Sequence, residues 1–289
     1  MMIDYSFILD NFTWSYSRLN SYHTCPHMFY LTYLEEQESK SNIYSEFGSL
    51  GHELLEEYAN GELSEFDLAI EFEKRFPKQV TSPPPPNKYV DLGEQLYNKG
   101  LEYFSNFNGD LFDGYTIVGV EERFDFEIDG LRFVAYVDLI LRDNSNQSIK
   151  IVDHKSQTIK FLKNGNPSKT NEDDVRNLKR QMYLYSIPVK AKYGSVDELS
   201  WNLFKDGNMF TIDWDEREYA DTIIWALDTI KLIKQERLWL PMKDCGGYFC
   251  QHICGVSGHC EYMIQKREEY FAKKEAERLE AMVECCPWE

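Results

Sequence analysis

The spacing of apolar and polar positions divides the chain into a helical first third, a strand-rich middle and a mixed remainder. From Ser15 to Tyr33, apolar Leu19, Tyr22, Phe29 and Tyr30 recur behind a serine cap, which predicts an amphipathic helix. A second helix is expected over about 46–59. More amphipathic helix is expected over about 63–107, broken by four consecutive prolines, Pro83 to Pro86, which cannot continue a helix. The pattern then changes period. Tyr115–Ile128, Leu131–Arg142 and Ser148–Ser156 are β-branched and aromatic runs, separated by Asp129-Gly130 and by Asp143 to Gln147, both turn-forming. A helix over about 172–186, strands around 198–204 and 209–212, a helix over 215–237 and a charged helix over 261–283 complete the reading.

Composition narrows what such a chain can be. Its 289 residues allow one large domain or two small ones; the pattern is read as one domain with a helical insertion over about 60–110. Hydrophobic residues at 43% and aromatics at 15% permit a substantial core, unlike a disordered chain. A run of about 18 apolar residues, as a membrane span needs, is absent from the sequence. The start, Met1 to Trp14, lacks the basic and apolar parts of a secretory signal, so a cytoplasmic location is expected. Thiols stay reduced there, and the seven cysteines then suggest metal or cluster ligation rather than disulfides.

The net charge of −18 argues against broad nucleic-acid affinity. It is unevenly spread, however. From Gln147 to Tyr193 ten bases face four acids, a local +6 that leaves −24 for the rest. That segment is either a solvated face balancing an acidic protein or a phosphate track beside a reactive centre.

The candidate centre lies in the strand-rich middle. Asp138 follows one apolar run, and Asp153 and Lys155 close the next. Period-2 geometry sends Asp153 and Lys155 to the same side of a strand. Two carboxylates can hold Mg²⁺ or Mn²⁺, which prefer oxygen ligands. A lysine beside them can help activate a water or offset charge developing on a phosphate. A rim salt bridge is the plainer account of an Asp-x-Lys triplet taken alone.

Together these residues resemble the PD-(D/E)xK nuclease superfamily, in its RecB-like branch. Gly48-x3-His52 resembles the branch's upstream helix motif, whose histidine completes metal coordination. Gln181-x3-Tyr185 resembles the motif on the helix after the Asp-x-Lys strand, and Glu121 matches a recurrent glutamate. Ala135 and Tyr136 stand where the family often has glycine. The stretch from Ser17 to Tyr30, with Cys25-Pro26, resembles the entry helix of RecB-like nucleases that carry an iron–sulfur cluster. These include CRISPR-associated exonucleases and AddB-type subunits.

The resemblance implies an α/β, restriction-endonuclease-like fold: a mixed sheet flanked by helices, with a C-terminal cysteine-rich segment. It implies His52, Asp138 and Asp153 as metal ligands, with Lys155, Gln181 and Tyr185 completing the catalytic set. It further implies a [4Fe–4S] cluster held by Cys25, Cys250, Cys254 and Cys260. The Cys250-x3-Cys254 spacing is one residue longer than the family's, and Cys245 is a spare. Zinc held by Cys245, Cys250, Cys254, Cys260, His252 or His259 is the alternative. The implied activity is metal-dependent cleavage of DNA by a metal-activated water, as a single-strand-preferring exonuclease. Recombination, repair or CRISPR adaptation is the implied setting, with a helicase or adaptation protein as partner and a virus-encoded version included. The contrasting expectation is a non-cleaving DNA- or protein-binding module with an acidic partner interface.

Overall fold

In the computed structural model, residues 4–163 and 165–285 are described, without side chains for 271, 274 and 276–285. Helices α1 (Ser6–Asp10), α2 (Tyr16–Thr24) and α3 (Pro26–Phe29) lead the chain, followed by α4 (Ile43–Ala59), α5 (Glu65–Gln79) and α6 (Leu92–Ser105). Strands β1 (Tyr115–Ile128), β2 (Leu131–Asp143) and β3 (Ile149–Lys155) come next, then α7 (Glu172–Tyr193), β4 (Glu198–Leu203), β5 (Asn208–Asp213) and α8 (Glu216–Gln235). Helices α9 (Tyr248–His252) and α10 (Glu261–Cys285) end the described chain. None of the described helices is long and apolar enough to cross a membrane.

The chain divides into two units. The larger comprises residues 6–20 and 41–235 and carries a five-stranded sheet in the order β1-β2-β3-β4-β5. Its strands pair antiparallel except β3 with β4, which run parallel and are joined through α7. A parallel pair needs such a crossover. This is the mixed, helix-flanked sheet of a restriction-endonuclease-like fold.

Local chemistry sets the element ends. The β1–β2 hairpin turns on Asp129 and Gly130, at φ 50° and 73°, the left-handed pair that a two-residue turn requires. Helix α4 begins at a reciprocal capping box, in which Asn42 accepts from the amides of Tyr44 and Ser45 while the Ser45 hydroxyl accepts from the Asn42 amide. Helices α4, α5 and α6 share a core of Phe47, Leu50, Leu54, Phe72 and Phe104, closed by Phe204 from the end of β4. The expected insertion therefore packs as two helices. The Pro83–Pro86 run lies in the connection between them.

The smaller unit is assembled from residues 4–5, 21–40 and 236–285. Here the single helix expected over Ser15–Tyr33 is corrected. It breaks at Cys25, which is extended (φ −158°, ψ 108°) and caps α3 by accepting from the Met28 amide at 3.4 Å. Pro26 is the reason: it disfavours helical geometry in the residue before it and suits a first helical position.

Candidate active site

The larger unit brings together the residues that the sequence singled out on β2, β3, α4 and α7. Strand β3 is buried over Ile151 to His154, and Asp153 is only 1% exposed. A carboxylate at such a depth needs compensation. Lys155 Nζ provides it, at 2.9 Å from Oδ1 and 2.8 Å from Oδ2. From α7, Gln181 Nε2 donates to Asp153 Oδ1 at 3.2 Å and to the Tyr185 hydroxyl at 3.0 Å. Four residues apart on α7, Gln181 and Tyr185 share a face, and the contacts form a chain, Tyr185–Gln181–Asp153–Lys155.

Asp138 faces a second set of partners. Its Oδ2 accepts from the His154 amide at 2.7 Å and lies 3.4 Å from His52 Nδ1. His52 Nδ1 is also 4.0 Å from Glu121 Oε1. Ligand atoms of His52, Glu121 and Asp138 all lie within 4.8 Å of one another. Asp153 is outside that trio, its carboxylate turned to Lys155 and Gln181.

Two backbone features build the trio. Glu121 lies opposite Asp138, between the register pairs Val120–Leu139 and Glu122–Val137. It is left-handed at φ 43°, a conformation costing about 1–3 kcal/mol for a non-glycine residue and concentrated at functional sites. Helix α4 approaches the sheet through glycines. A Cβ on Gly51 would stand 2.3 Å from the Phe204 ring, and one on Gly48 would stand 3.1 Å from Ser156 Oγ, the residue after Lys155. Close approach at both carries His52 to Asp138.

Burial and charge set the protonation states. Burial, then the neighbouring Asp153 charge, pushes the Asp138 carboxyl up to about 7. Burial pulls the His52 imidazole down, yet Glu121 and Asp138 outweigh it and hold it above its ordinary value. Burial likewise disfavours the Lys155 ammonium, which Asp153 and Asp138 keep charged. A pocket that raises a carboxyl this far while gathering an imidazole and two carboxylates fits a divalent cation.

Residues that the sequence did not single out also surround the site. His154 is buried, its imidazole driven well below its ordinary value by burial. Its Nδ1 is 3.0 Å from Asn202 Nδ2, which also donates to the Tyr103 hydroxyl at 2.8 Å. Tyr16 of α2 is also buried, its hydroxyl raised by burial and then by the Asp153 charge. Alternation along β3 is the signal that placed His154 away from Asp153; the partners of His154 and Tyr16 are too distant in sequence to foresee.

The smaller unit gathers the cysteines. Cys25, Cys245, Cys250, Cys254 and Cys260 line one cavity with Met28, Leu31, Phe249, Val256 and Met263. All five are free thiols. Burial pushes Cys245 and Cys254 up to about 11, so cationic metal centres are what would hold them as thiolates. Among the described residues, no three of these sulfurs lie within 4.8 Å of one another. Four thiolates on one zinc, with bonds of about 2.3 Å, would stand about 3.8 Å apart. Of the proposed zinc histidines, His252 packs on the Tyr248 ring at 4.9 Å, and neither His252 nor His259 lines the cavity. Cys286 lies outside the described residues.

A sequence model of the PD-(D/E)XK nuclease superfamily matches residues 13–261. Among solved structures, that of a candidate exonuclease from Eubacterium rectale is similar over 83% of this chain and 88% of its own, at 11% identity and a TM-score of 0.45. No curated protein matches the sequence.

Proposed function

The chain belongs to the PD-(D/E)XK nuclease superfamily, and from that premise we propose that it is a Mg²⁺- or Mn²⁺-dependent deoxyribonuclease with exonuclease action on single strands. One observation carries the reading: the His52–Glu121–Asp138 donor set beside the buried Asp153–Lys155 pair. His52, Glu121 and Asp138 would hold the metal; the resemblance adds Asp153 as a ligand beside them, from the carboxylate that also meets Lys155. A cation bound there supplies positive charge that polarises the scissile phosphate and makes water a better nucleophile. The Lys155 ammonium faces the developing phosphate charge. Asp153 keeps that ammonium charged and placed, Gln181 fixes the Asp153 carboxylate, and Tyr185 fixes Gln181. The His154 amide holds Asp138 in register, and the burial of Asp153 strengthens its pairing with Lys155.

Single-strand and exonuclease preference rest on the resemblance to iron–sulfur RecB-like nucleases, as does a setting in recombination, repair or CRISPR adaptation beside a helicase or adaptation protein. The same resemblance makes the chain one nuclease domain with a helical insertion over about 60–110. Cys25, Cys250, Cys254 and Cys260 hold a [4Fe–4S] cluster, with Cys245 beside it; the resemblance and the cavity that these sulfurs line together support this reading.

The test is digestion of end- and internally-labelled single- and double-stranded DNA with Mg²⁺ or Mn²⁺, beside Lys155→Ala. Wild-type cleavage that the variant loses is expected. Absence of wild-type cleavage on every DNA form and metal would leave a binding module. Anaerobic purification tests the cluster: a brown, iron- and sulfide-containing protein is expected, bleached in Cys25→Ala, whereas a colourless zinc protein refutes it.

A further inference from the structure

The basic segment from Gln147 to Tyr193 separates, side chain by side chain, into engaged charges and free ones. Lys150 pairs with Glu198, Lys155 with Asp153, Arg176 with Asp173, Lys179 with Glu218 and Lys192 with Glu122. Arg180 lies over the Trp225 ring and Lys190 over the Trp214 ring, at 4.5 and 4.1 Å. Lys160, Lys163 and Lys169 are exposed and, among the described residues, take no ion-pair or hydrogen-bond partner through their ammonium groups. All three lie between Ser156 and Asn171, a stretch without an acidic residue in a chain of net charge −18.

The described residues of this stretch are held by specific bonds. Phe161 bridges to Pro167, the Leu162 amide donates to Asn166 O at 2.7 Å, and the Ser168 amide donates to Lys160 O at 2.8 Å. The Asn171 side chain accepts from the Lys160 amide at 3.1 Å and from Ser168 Oγ at 3.0 Å.

Its anchor fixes where the charges stand. Asp153 pairs in register with Trp201, and Trp201 with Phe210, so these three side chains share a sheet face. Lys155, two residues on from Asp153, shares it too. Trp201 stacks on Phe210 at 5.2 Å, and Phe161 packs on Phe210 at 4.9 Å. The hairpin is therefore seated on the face that bears Asp153 and Lys155. Two strand spacings, roughly 10 Å, separate its anchor strand from Asp153.

We infer that Lys160, Lys163 and Lys169 form a phosphate-binding hairpin that grips the backbone of a nucleic-acid strand leading to Asp153 and Lys155. Leu162, 52% exposed beside Lys163, gives that surface an apolar contact for a base or sugar. The assignment rests on the nuclease reading and adds the substrate-holding surface to it. It also explains how so acidic a protein engages a polyanion: outside the reactive centre with Lys155, the attraction is confined to one hairpin, and the other paired bases of the segment take no part.

The test replaces all three lysines by glutamine and compares binding of a labelled single-stranded oligonucleotide over a salt series, in a Lys155→Ala background so that the strand survives. Losing three phosphate contacts lowers the slope of log affinity against log salt by about 2; affinity falls at least tenfold at low salt. With Lys155 intact, the triple-glutamine protein shows a raised KM and an essentially unchanged kcat. The triple-arginine variant retains wild-type slope and KM, which separates charge from fold, and Lys190→Gln leaves the slope unaltered. If the wild type cleaves DNA and the glutamine variant keeps its slope and KM, the hairpin assignment is wrong and the nuclease reading stands. If the wild type neither binds nor cleaves any DNA, both fall.

Discussion

At the scale of single residues, the proposed chemistry turns on Asp138 and Lys155. Lys155→Ala leaves Asp153 buried without its cation and removes the charge facing the phosphate, so cleavage should fall about 10²–10⁴-fold, measured at saturating metal. In the proposed metal site, Asp138 makes binding pH-dependent. Its carboxyl is raised to about 7, so below that pH a proton occupies the atom a cation needs, and affinity tightens as pH rises from 6 to 8. The metal-free protein moves the other way. A carboxyl whose folded pKa exceeds its unfolded one stabilises the fold only while protonated, so stability is lost as pH climbs towards 7 and beyond. His52, held above its ordinary value, contributes with the same sign. Melting curves in chelator should show a lower Tm at pH 8 than at pH 6, and Asp138→Asn should flatten that difference. An equal slope in the variant would remove Asp138 from this role. That Asp153 and Lys155 share a face was legible from period-2 spacing, whereas their grouping with Asp138 and His52 came from the resemblance and not from spacing. Glu121's place was not, because a left-handed residue in a strand has no reliable sequence signal.

At the scale of elements, α4 delivers His52, and its position depends on two contacts. Gly51→Ala would push a methyl into the Phe204 ring; overpacking of this kind costs about 1–3 kcal/mol. It should lower metal affinity through His52, which calorimetric titration would detect. The other contact is Glu46. It accepts from Ser41 and Ser82 hydroxyls at 2.6 Å and from the Thr81 and Ser82 amides at 2.8 Å, tying the α5–α6 connection to the first turn of α4. Burial opposes ionisation there, but these four bonds hold the carboxyl at about 2. Its contribution is present above the usual carboxylate range and lost as pH falls towards 2. Glu46→Ala should therefore lower Tm at pH 7, speed amide exchange at Thr81 and Ser82, and match the wild type near pH 2. Element types were well forecast where periodicity was long, as in β1 and α4. The end of α7 was not: Pro188 argues for a stop near Ser186, yet the helix runs to Tyr193 and ends at Gly194, φ 92°. Burial of Pro188 and Val189 offsets the lost hydrogen bond.

At the scale of the whole molecule, the smaller unit is made of three separate stretches with five thiols lining one cavity. Cys25→Ala, or removal of the proposed cluster by a chelator, should increase proteolysis and amide exchange in residues 21–40 and 236–260 while the five strands stay protected. Uniform loss of protection would show that the cavity does not organise this unit by itself. The sequence determined the fold class, the Asp-x-Lys strand, the helix bearing His52 and the cysteine set, because each follows from short-range spacing or from a motif order that survives linear reading. It also registered a basic segment within an acidic chain. Only the tertiary structure decided that seven of those ten bases are engaged by neighbours and three have no partner among the described residues, that Glu121 rather than Asp153 joins His52 and Asp138 in one donor set, and that Cys25 shares a cavity with cysteines more than two hundred residues away. The physical reason is the same in each case. Side-chain pairing and ligand geometry depend on which distant residues packing brings within a few ångströms, and that is a property of the folded sheet and helices, not of local sequence.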